Sequence, residues 1–346
     1  MVTTNMNMMR AIVLKATENA VMHEIPIPVC KNGEVLIRTK AATICTSDML
    51  DLHGALFAEA LPIVMGHEGA GVVEAVGEGV DEALIGKEVA VHPVMPCYEC
   101  NSCKRGFSHL CDDMEHLCMN RDGVFAEYFI TRPDCIRIKP QGMSFAAASL
   151  MEPVCVCLEA ISRASVKEGG RVLIIGDGPF GVMTSKLCMP KKPKQIIHTG
   201  SYDFRLEQVV SPITHTIREK RTDVLKQKIM ELTDGEGIDS VILCVSNPIA
   251  VDLAIEVLRA RGTLCIFSAL EGKTPVDLFR LQIKELNITG SCNDENYMDE
   301  AIRLLQDSKL GLGKVVTHEL PFEKWEDAFN MVEKERGSCL KVSLVM

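Results

Sequence analysis

Residues 171–181 read RVLIIGDGPFG, and VMTSKLCM follows at 182–189. Five apolar-flanked residues run into Gly176-Asp177-Gly178-Pro179-Phe180-Gly181, and a helical pattern begins at once. This is G-x-G-x-x-G between a strand and a helix. The first glycine permits a tight turn, and the second lets the backbone approach a pyrophosphate. The third lets the helix pack closely on the strand, and the helix N-terminus faces the anion with its positive end. The strand-loop-helix context makes this a dinucleotide site, with Gly176, Gly178, Pro179, Phe180 and Gly181 as its loop.

More strands of the same kind lie downstream: KQIIHT (194–199), DSVILCV (239–245), GTLCIF (262–267) and LNITGS (286–291). Amphipathic helical stretches such as DVLKQKIMEL (223–232) and AVDLAIEVLRA (250–260) separate them. Continuous apolar strands alternating with helices predict an α/β domain with a parallel sheet covered on both faces. Pro190, Pro193 and Pro212 limit its helices: the one after Gly181 should end near Met189, and the one after Arg205 should be short or irregular.

Upstream the texture differs. Short strands broken by Gly, Pro and Asn turns fill the first 150 residues: AIVL (11–14), EVLIRTKAATI (34–44), GAGVVEAVG (69–77) and EVAVH (88–92). They predict a β-rich, barrel-like domain. Downstream, a helix at 298–310, a strand VVTHEL, a helix around Trp325–Glu335 and a last strand in CLKVSLVM complete the chain. The tail is expected to return to the first domain, leaving the dinucleotide unit inserted.

Cofactor choice is read at the end of the second strand, where an Asp or Glu bonds the adenosine ribose of NAD. That position is Gly200. Its lack of a carboxylate, with Ser201 and Arg205 able to hold a 2′-phosphate, favours NADP(H). Asp203 argues the other way if it points inward.

The 346 residues include fifteen Cys. Cys97-x2-Cys100-x2-Cys103-x7-Cys111 brings four sulfurs into one loop, enough to close a tetrahedron on zinc with no open position. Such a site staples a lobe (about 95–113) that has little core of its own. An iron–sulfur cluster or empty thiols are the alternatives. A second set is scattered: Cys45 in ICTSD, His67 and Glu68 in MGHEGAG, and Glu152 in MEPVCVC. One thiolate, one imidazole and two carboxylates match a catalytic zinc with an open position. The remaining Cys sit mostly in apolar runs, as small core residues do.

Composition excludes other classes. One Trp and four Tyr give no stacking surface for single-stranded nucleic acid, and a net charge of −10 opposes binding to phosphate backbones or anionic lipid. No uninterrupted apolar run approaches a membrane span, and Met1–Arg10 lacks the apolar centre of a secretion signal. A cytoplasmic protein that binds neither nucleic acid nor membrane is expected.

At Gly66-His67-Glu68-x2-Gly71-x5-Gly77-x2-Val80 the sequence resembles the zinc-containing medium-chain dehydrogenase/reductase (alcohol dehydrogenase) superfamily. The four-Cys lobe, GVFAEY (123–128) and the GDGPFG loop follow in that family's order. The resemblance implies a GroES-like catalytic domain, here 1–158 and 297–346, around an inserted Rossmann domain, 159–296, with the active site in the cleft between them. It implies two zinc ions, with Cys45, His67, Glu68 and Glu152 at the catalytic one. Cys155 is the substitute ligand if the local alignment slips by three. Glu152 stands where liver-type enzymes carry a second Cys, which is more like the sorbitol, threonine and other polyol dehydrogenases.

The implied reaction is NAD(P)-linked oxidation of a secondary alcohol to a ketone, or the reverse. Ser47 falls at the proton-relay hydroxyl, and Asp48 supports the zinc or its loop. The relay's next His is replaced by Leu50; His53 lies three residues further on. Phe57, Met95 and Phe125 are candidates for the pocket wall near the metal, although residues of this kind are more often plain core. An amino-alcohol substrate and a non-catalytic NADP(H)-binding zinc protein are the alternatives. Relatives pair through the last Rossmann strands, which implies a homodimer or homotetramer.

Overall fold

The computed structural model describes residues 8–54, 61–269 and 272–346. They divide into two compact units: residues up to Pro153 together with those from Met298 onward, and Val154–Tyr297.

The first unit is built on β1 (Met8–Ala16), β2 (Asn19–Pro26), β3 (Val35–Thr43), β4 (Ile63–Val64), β5 (Glu68–Val76), β6 (Glu88–Val91), β7 (Val94–Met95), β8 (Glu115–His116), β9 (Tyr128–Thr131) and β10 (Ile136–Ile138). β1 is flanked by β2 and β4 in one antiparallel sheet, and β7 pairs β8 at the base of the cysteine loop. Ile12, Ile37, Val73, Phe125 and Phe129 project from these strands and their connections into one buried cluster. Burying such side chains stabilises by roughly 1.5–3 kcal/mol each.

The second unit holds β11 (Arg171–Ile175), β12 (Gln195–Gly200), β13 (Thr214–Arg218), β14 (Ile238–Leu243), β15 (Leu258–Ile266) and β16 (Asn287–Gly290). All are parallel, in the order β13-β12-β11-β14-β15-β16. That order reverses direction between β11 and β14, the doubly wound arrangement whose switch point receives a dinucleotide. All five residues of β11 are buried, as a central parallel strand requires. β13 has no apolar run to announce it: only Ile217 of its five residues is buried, because it lies on the sheet edge. The helix after the glycine loop, Pro179–Cys188, gives way to a 3-10 turn through Pro190, and Asp203–Glu207 is a short helix, as the prolines dictate.

The tail adds β17 (Val316–Pro321) and β18 (Lys341–Val345) to the first unit. β18 inserts beside β3, which extends the larger sheet to β10-β6-β5-β3-β18-β17, with β9 also on β3. The helix starting at Met298 ends at Leu305, short of the expected 310. By length and composition the helical stretch 145–163 could cross a bilayer, which qualifies the expectation of no such segment. Its apolar window is 78% buried inside the protein, as befits a core helix.

Candidate metal centre and dinucleotide loop

Register explains how distant ligands meet. In the β3–β5 pair Thr43 lies opposite Glu68. Cys45 follows β3 and His67 precedes β5, so both leave the same end of the sheet. Gly66 turns the chain there with φ +87°; a Cβ on it would lie 2.5 Å from the Phe125 ring. The donor atoms of Cys45, His67 and Glu68 lie within 4.8 Å of one another. Asp48, buried on the first helix (Thr46–Gly54), accepts the Cys45 amide at 2.7 Å. Its other oxygen lies 3.3 Å from His67 Nδ1. Burial pulls the His67 imidazole's pKa down, but the Asp48 carboxylate outweighs it and the net is well above the ordinary value. A carboxylate at Nδ1 leaves Nε2 as the ring's ligand atom, the arrangement usual for metal-binding histidines.

Glu68 is wholly buried and both its oxygens are engaged. Thr43 Oγ1 donates to Oε2 and Lys341 Nζ to Oε1. Lys341, from β18, is 1% exposed and also donates to Ile44 O at 3.4 Å. Burial works against its charge, yet Glu68 and then Cys45 raise its pKa above the ordinary lysine value. Glu152, expected as a fourth ligand, is not among the donors that close to within 4.8 Å. Burial pushes the Glu152 carboxyl up to about 7, with His67 opposing the rise and Glu68 adding to it. Its Oε2 is buried without a hydrogen bond. An orphaned buried carboxylate oxygen is a group that a divalent cation could satisfy.

Two further groups escaped the sequence reading. Cys118, at φ +71°, forms with Asp48 and His67 another set of donors within 4.8 Å. His116 brings its ring to 6.1 Å from that of His67, with Nδ1 2.6 Å from Leu117 O. Burial pushes its pKa down to about 3, so it is neutral. Both lie in MEHLCMN, whose only signal was its proximity to the cysteine lobe. Ser47 is half-buried on the helix Thr46–Gly54 that follows Cys45. His53 is no obvious relay partner, because its ring is engaged by Glu333 at 3.0 Å and Glu18 at 3.8 Å. Met95 and Phe125 are core side chains at 1% and 0% exposure rather than pocket wall, and Phe57 lies outside the described residues.

In the lobe, the sulfurs of Cys97, Cys100, Cys103 and Cys111 lie within 4.8 Å of one another and none is in a disulfide. Backbone amides point at them: those of Glu99 and Cys100 at Cys97, Cys103 and Asp112 at Cys100, Cys97 and Asp113 at Cys111, at 3.3–3.5 Å. Amide donation from Cys103 and Asp112 lowers the Cys100 thiol to about 7. Burial pushes the neighbouring Cys103 up to about 12 and Cys111 above its ordinary value, so the amides favour the thiolate most at Cys100.

At the glycine loop, Gly176 has φ +120°, and a Cβ on Gly181 would lie 1.9 Å from Gly176 O. Gly178 caps the following helix without a side-chain bond, and Pro179 occupies its first turn, so the terminal amides stay available for an anion. Phe180 packs edge-on against Phe267. Arg205 is buried and stacks on Tyr202 at 5.3 Å, while Asp203 pairs with Arg218 at 2.5 Å.

Comparison with known proteins finds two family models in tandem: the alcohol dehydrogenase GroES-like domain over residues 31–140, and the zinc-binding dehydrogenase domain over 181–307. A sorbitol dehydrogenase of Bacillus subtilis strain 168 is 30% identical over 340 residues, 96% of each chain. An L-threonine 3-dehydrogenase of the same organism is 31% identical over 333 residues, 94% of this chain and 95% of that one. Among solved structures, a short chain alcohol dehydrogenase from E. coli CFT073, complexed with NADH, superposes with a TM-score of 0.91 at 26% identity, covering 98% of this chain and 99% of its own.

Proposed function

Since the chain belongs to the zinc-containing medium-chain dehydrogenase/reductase (alcohol dehydrogenase) superfamily, we propose that it oxidises a secondary hydroxyl of a polyol, cyclitol or sugar alcohol to a ketone, or runs the reverse reaction. The carrying observation is the convergence of Cys45, His67 and Glu68, from separate strands, on one point inside the first unit. In this reading that unit is the catalytic domain and Val154–Tyr297 the Rossmann domain.

Cys45 and His67 would hold the catalytic zinc, with Glu68 and Glu152 as carboxylates beside it; Cys97, Cys100, Cys103 and Cys111 would hold a structural one. The catalytic ion supplies Lewis acidity to a substrate oxygen and the nicotinamide accepts hydride. The chain's own work is positioning and proton handling. Asp48 accepts the Cys45 amide and sets its other oxygen 3.3 Å from His67 Nδ1, so one carboxylate biases the orientation of both would-be ligands. Ser47 would take the hydroxyl proton, and water would carry it on, since Leu50 offers no base and His53 is already bound. Lys341 holds Glu68 away from free rotation. Gly176, Gly178, Pro179, Phe180 and Gly181 would cradle the pyrophosphate at the helix N-terminus.

We also place the protein in the cytoplasm, consistent with fifteen cysteines of which none forms a disulfide. Homodimers or tetramers would form through β16, an edge strand beside a helix that exposes Leu278, Phe279 and Ile283.

The test is a panel of polyols, ketoses and L-threonine, assayed with NAD and NADP on metal-loaded protein. Polyol-dependent growth of reduced-nicotinamide absorbance is expected. Activity confined to L-threonine would support the amino-alcohol reading, which the 31% identical relative favours. Tight dinucleotide binding without turnover of any alcohol or ketone would leave a binding protein and end this proposal.

A further inference from the structure

Gly200 leaves the end of β12 without the carboxylate that selects NAD, but the structure brings one there from elsewhere. Asp177, the second residue of the glycine loop, turns its side chain across to β12. Its Oδ2 accepts the Ser201 amide at 2.6 Å and the Tyr202 amide at 2.8 Å. A Cβ built on Gly200 would lie 2.5 Å from both Asp177 Cβ and Oδ2. The loop residue therefore occupies the space a side chain at 200 would fill, and glycine there is what admits it. The placement is rigid: Gly176 N bonds Thr199 O at 3.0 Å, the ladder pairs Ile175 with Thr199, and Asp177 is 8% exposed.

We propose that Asp177 is the cofactor-selecting carboxylate of this chain and makes it specific for NAD(H) over NADP(H). This deepens the dehydrogenase reading and rests on it; it reverses the preference expected from Gly200, Ser201 and Arg205. With Oδ2 committed to two amides, Oδ1 is the acceptor for the adenosine ribose hydroxyls. A 2′-phosphate at the same place would compete with Asp177 for those amides and set a dianion against a carboxylate. Arg205 lies over the Tyr202 ring, and Arg218, the register partner of Gly200 on β13, is paired with Asp203. His198, buried beside the loop, is pushed down to about 4 by burial and is neutral at working pH.

The experiment is equilibrium binding of NADH and NADPH to the purified full chain, followed by nicotinamide fluorescence, for wild type, Asp177→Asn and Asp177→Ala. Wild type should bind NADH at least about tenfold more tightly than NADPH. Asp177→Asn, which removes charge while keeping shape and an amide acceptor, should shrink that ratio by about tenfold or more, mainly by tightening NADPH. Equal or reversed affinities in wild type would overturn the assignment even if neither variant folds. So would a folded variant with an unchanged ratio. If neither dinucleotide binds wild type, the dehydrogenase reading falls, and this one with it.

Discussion

Replacing Lys341 with Met is the sharpest test of how the metal centre is built. Lys341 and Glu68 form an ion pair in which the side chains are 1% and 0% exposed. Methionine fills much of the same volume but leaves Glu68 buried with only the Thr43 hydroxyl. Removing one partner of a buried pair costs about 3–5 kcal/mol, because the other charge is stranded. The first unit has about 200 residues, a size at which each kcal/mol moves Tm by roughly 2–4 °C. Its unfolding transition should therefore fall by about 6–20 °C in calorimetry at neutral pH. The double variant Lys341→Met, Glu68→Gln removes both charges and keeps the Thr43 contact, so it should recover at least half of the loss. If Lys341→Met moves the transition by less than about 2 °C, or the double variant is no better than the single, the pair does not hold this region as argued.

In the lobe, Cys97→Ser should lower bound zinc from two ions per chain to one by elemental analysis and speed amide exchange across residues 97–113; an unchanged metal count would refute the four-sulfur site. Arg121 holds Glu34 at 2.7 Å and Glu115 at 2.9 Å. Burial raises the Glu34 carboxyl, but the Arg121 bond and charge leave it net below its ordinary value. Its stabilising effect is thus present above the unfolded carboxylate range and is lost as pH falls through the lower folded value. Arg121→Met should cost about 1–2 kcal/mol near neutral pH, with the gap to wild type closing below pH ~4 in acid denaturation. A gap that is constant with pH would show that the loss is packing alone.

What could be read in the sequence was local in the chain. The glycine loop, the four cysteines within one turn-rich segment and the Gly66–Val80 signature each fit in a short window, and neighbouring residues impose their geometry. The strands β11, β12, β14 and β15 announced themselves by apolar runs that are largely buried. β13 did not, since an edge strand needs only one buried side chain. Lys341 gave a faint signal: a lysine between Leu340 and Val342 in an otherwise apolar strand must find a carboxylate if the strand is buried. Nothing local said which one. Asp177 was hidden more deeply, because its position was read as a variable place in the loop while its carboxylate serves a neighbouring strand. Met95 and Phe125, weighed between pocket wall and plain core, are core, as large apolar residues next to functional motifs often are.

The metal centre also carries a charge argument that neither motif nor ligand count supplies. Cys45, Glu68 and Glu152 together offer three formal negative charges when ionised, one more than a divalent ion balances. Burying a surplus charge is costly, and proteins commonly avoid it by protonation. Here protonation and pairing with a fixed cation are both visible. Glu152 is pushed up to about 7, a carboxyl on the verge of giving up its charge. Lys341 reaches Glu68 from the strand on the other side of β3 and neutralises it with a fixed cation. With Glu68 neutralised, Cys45 and Glu152 are the anions that, in the proposed reading, would set how strongly a cation held there draws on a substrate oxygen. The final strand of the chain thereby contributes to the electrostatics of the site without offering it a ligand.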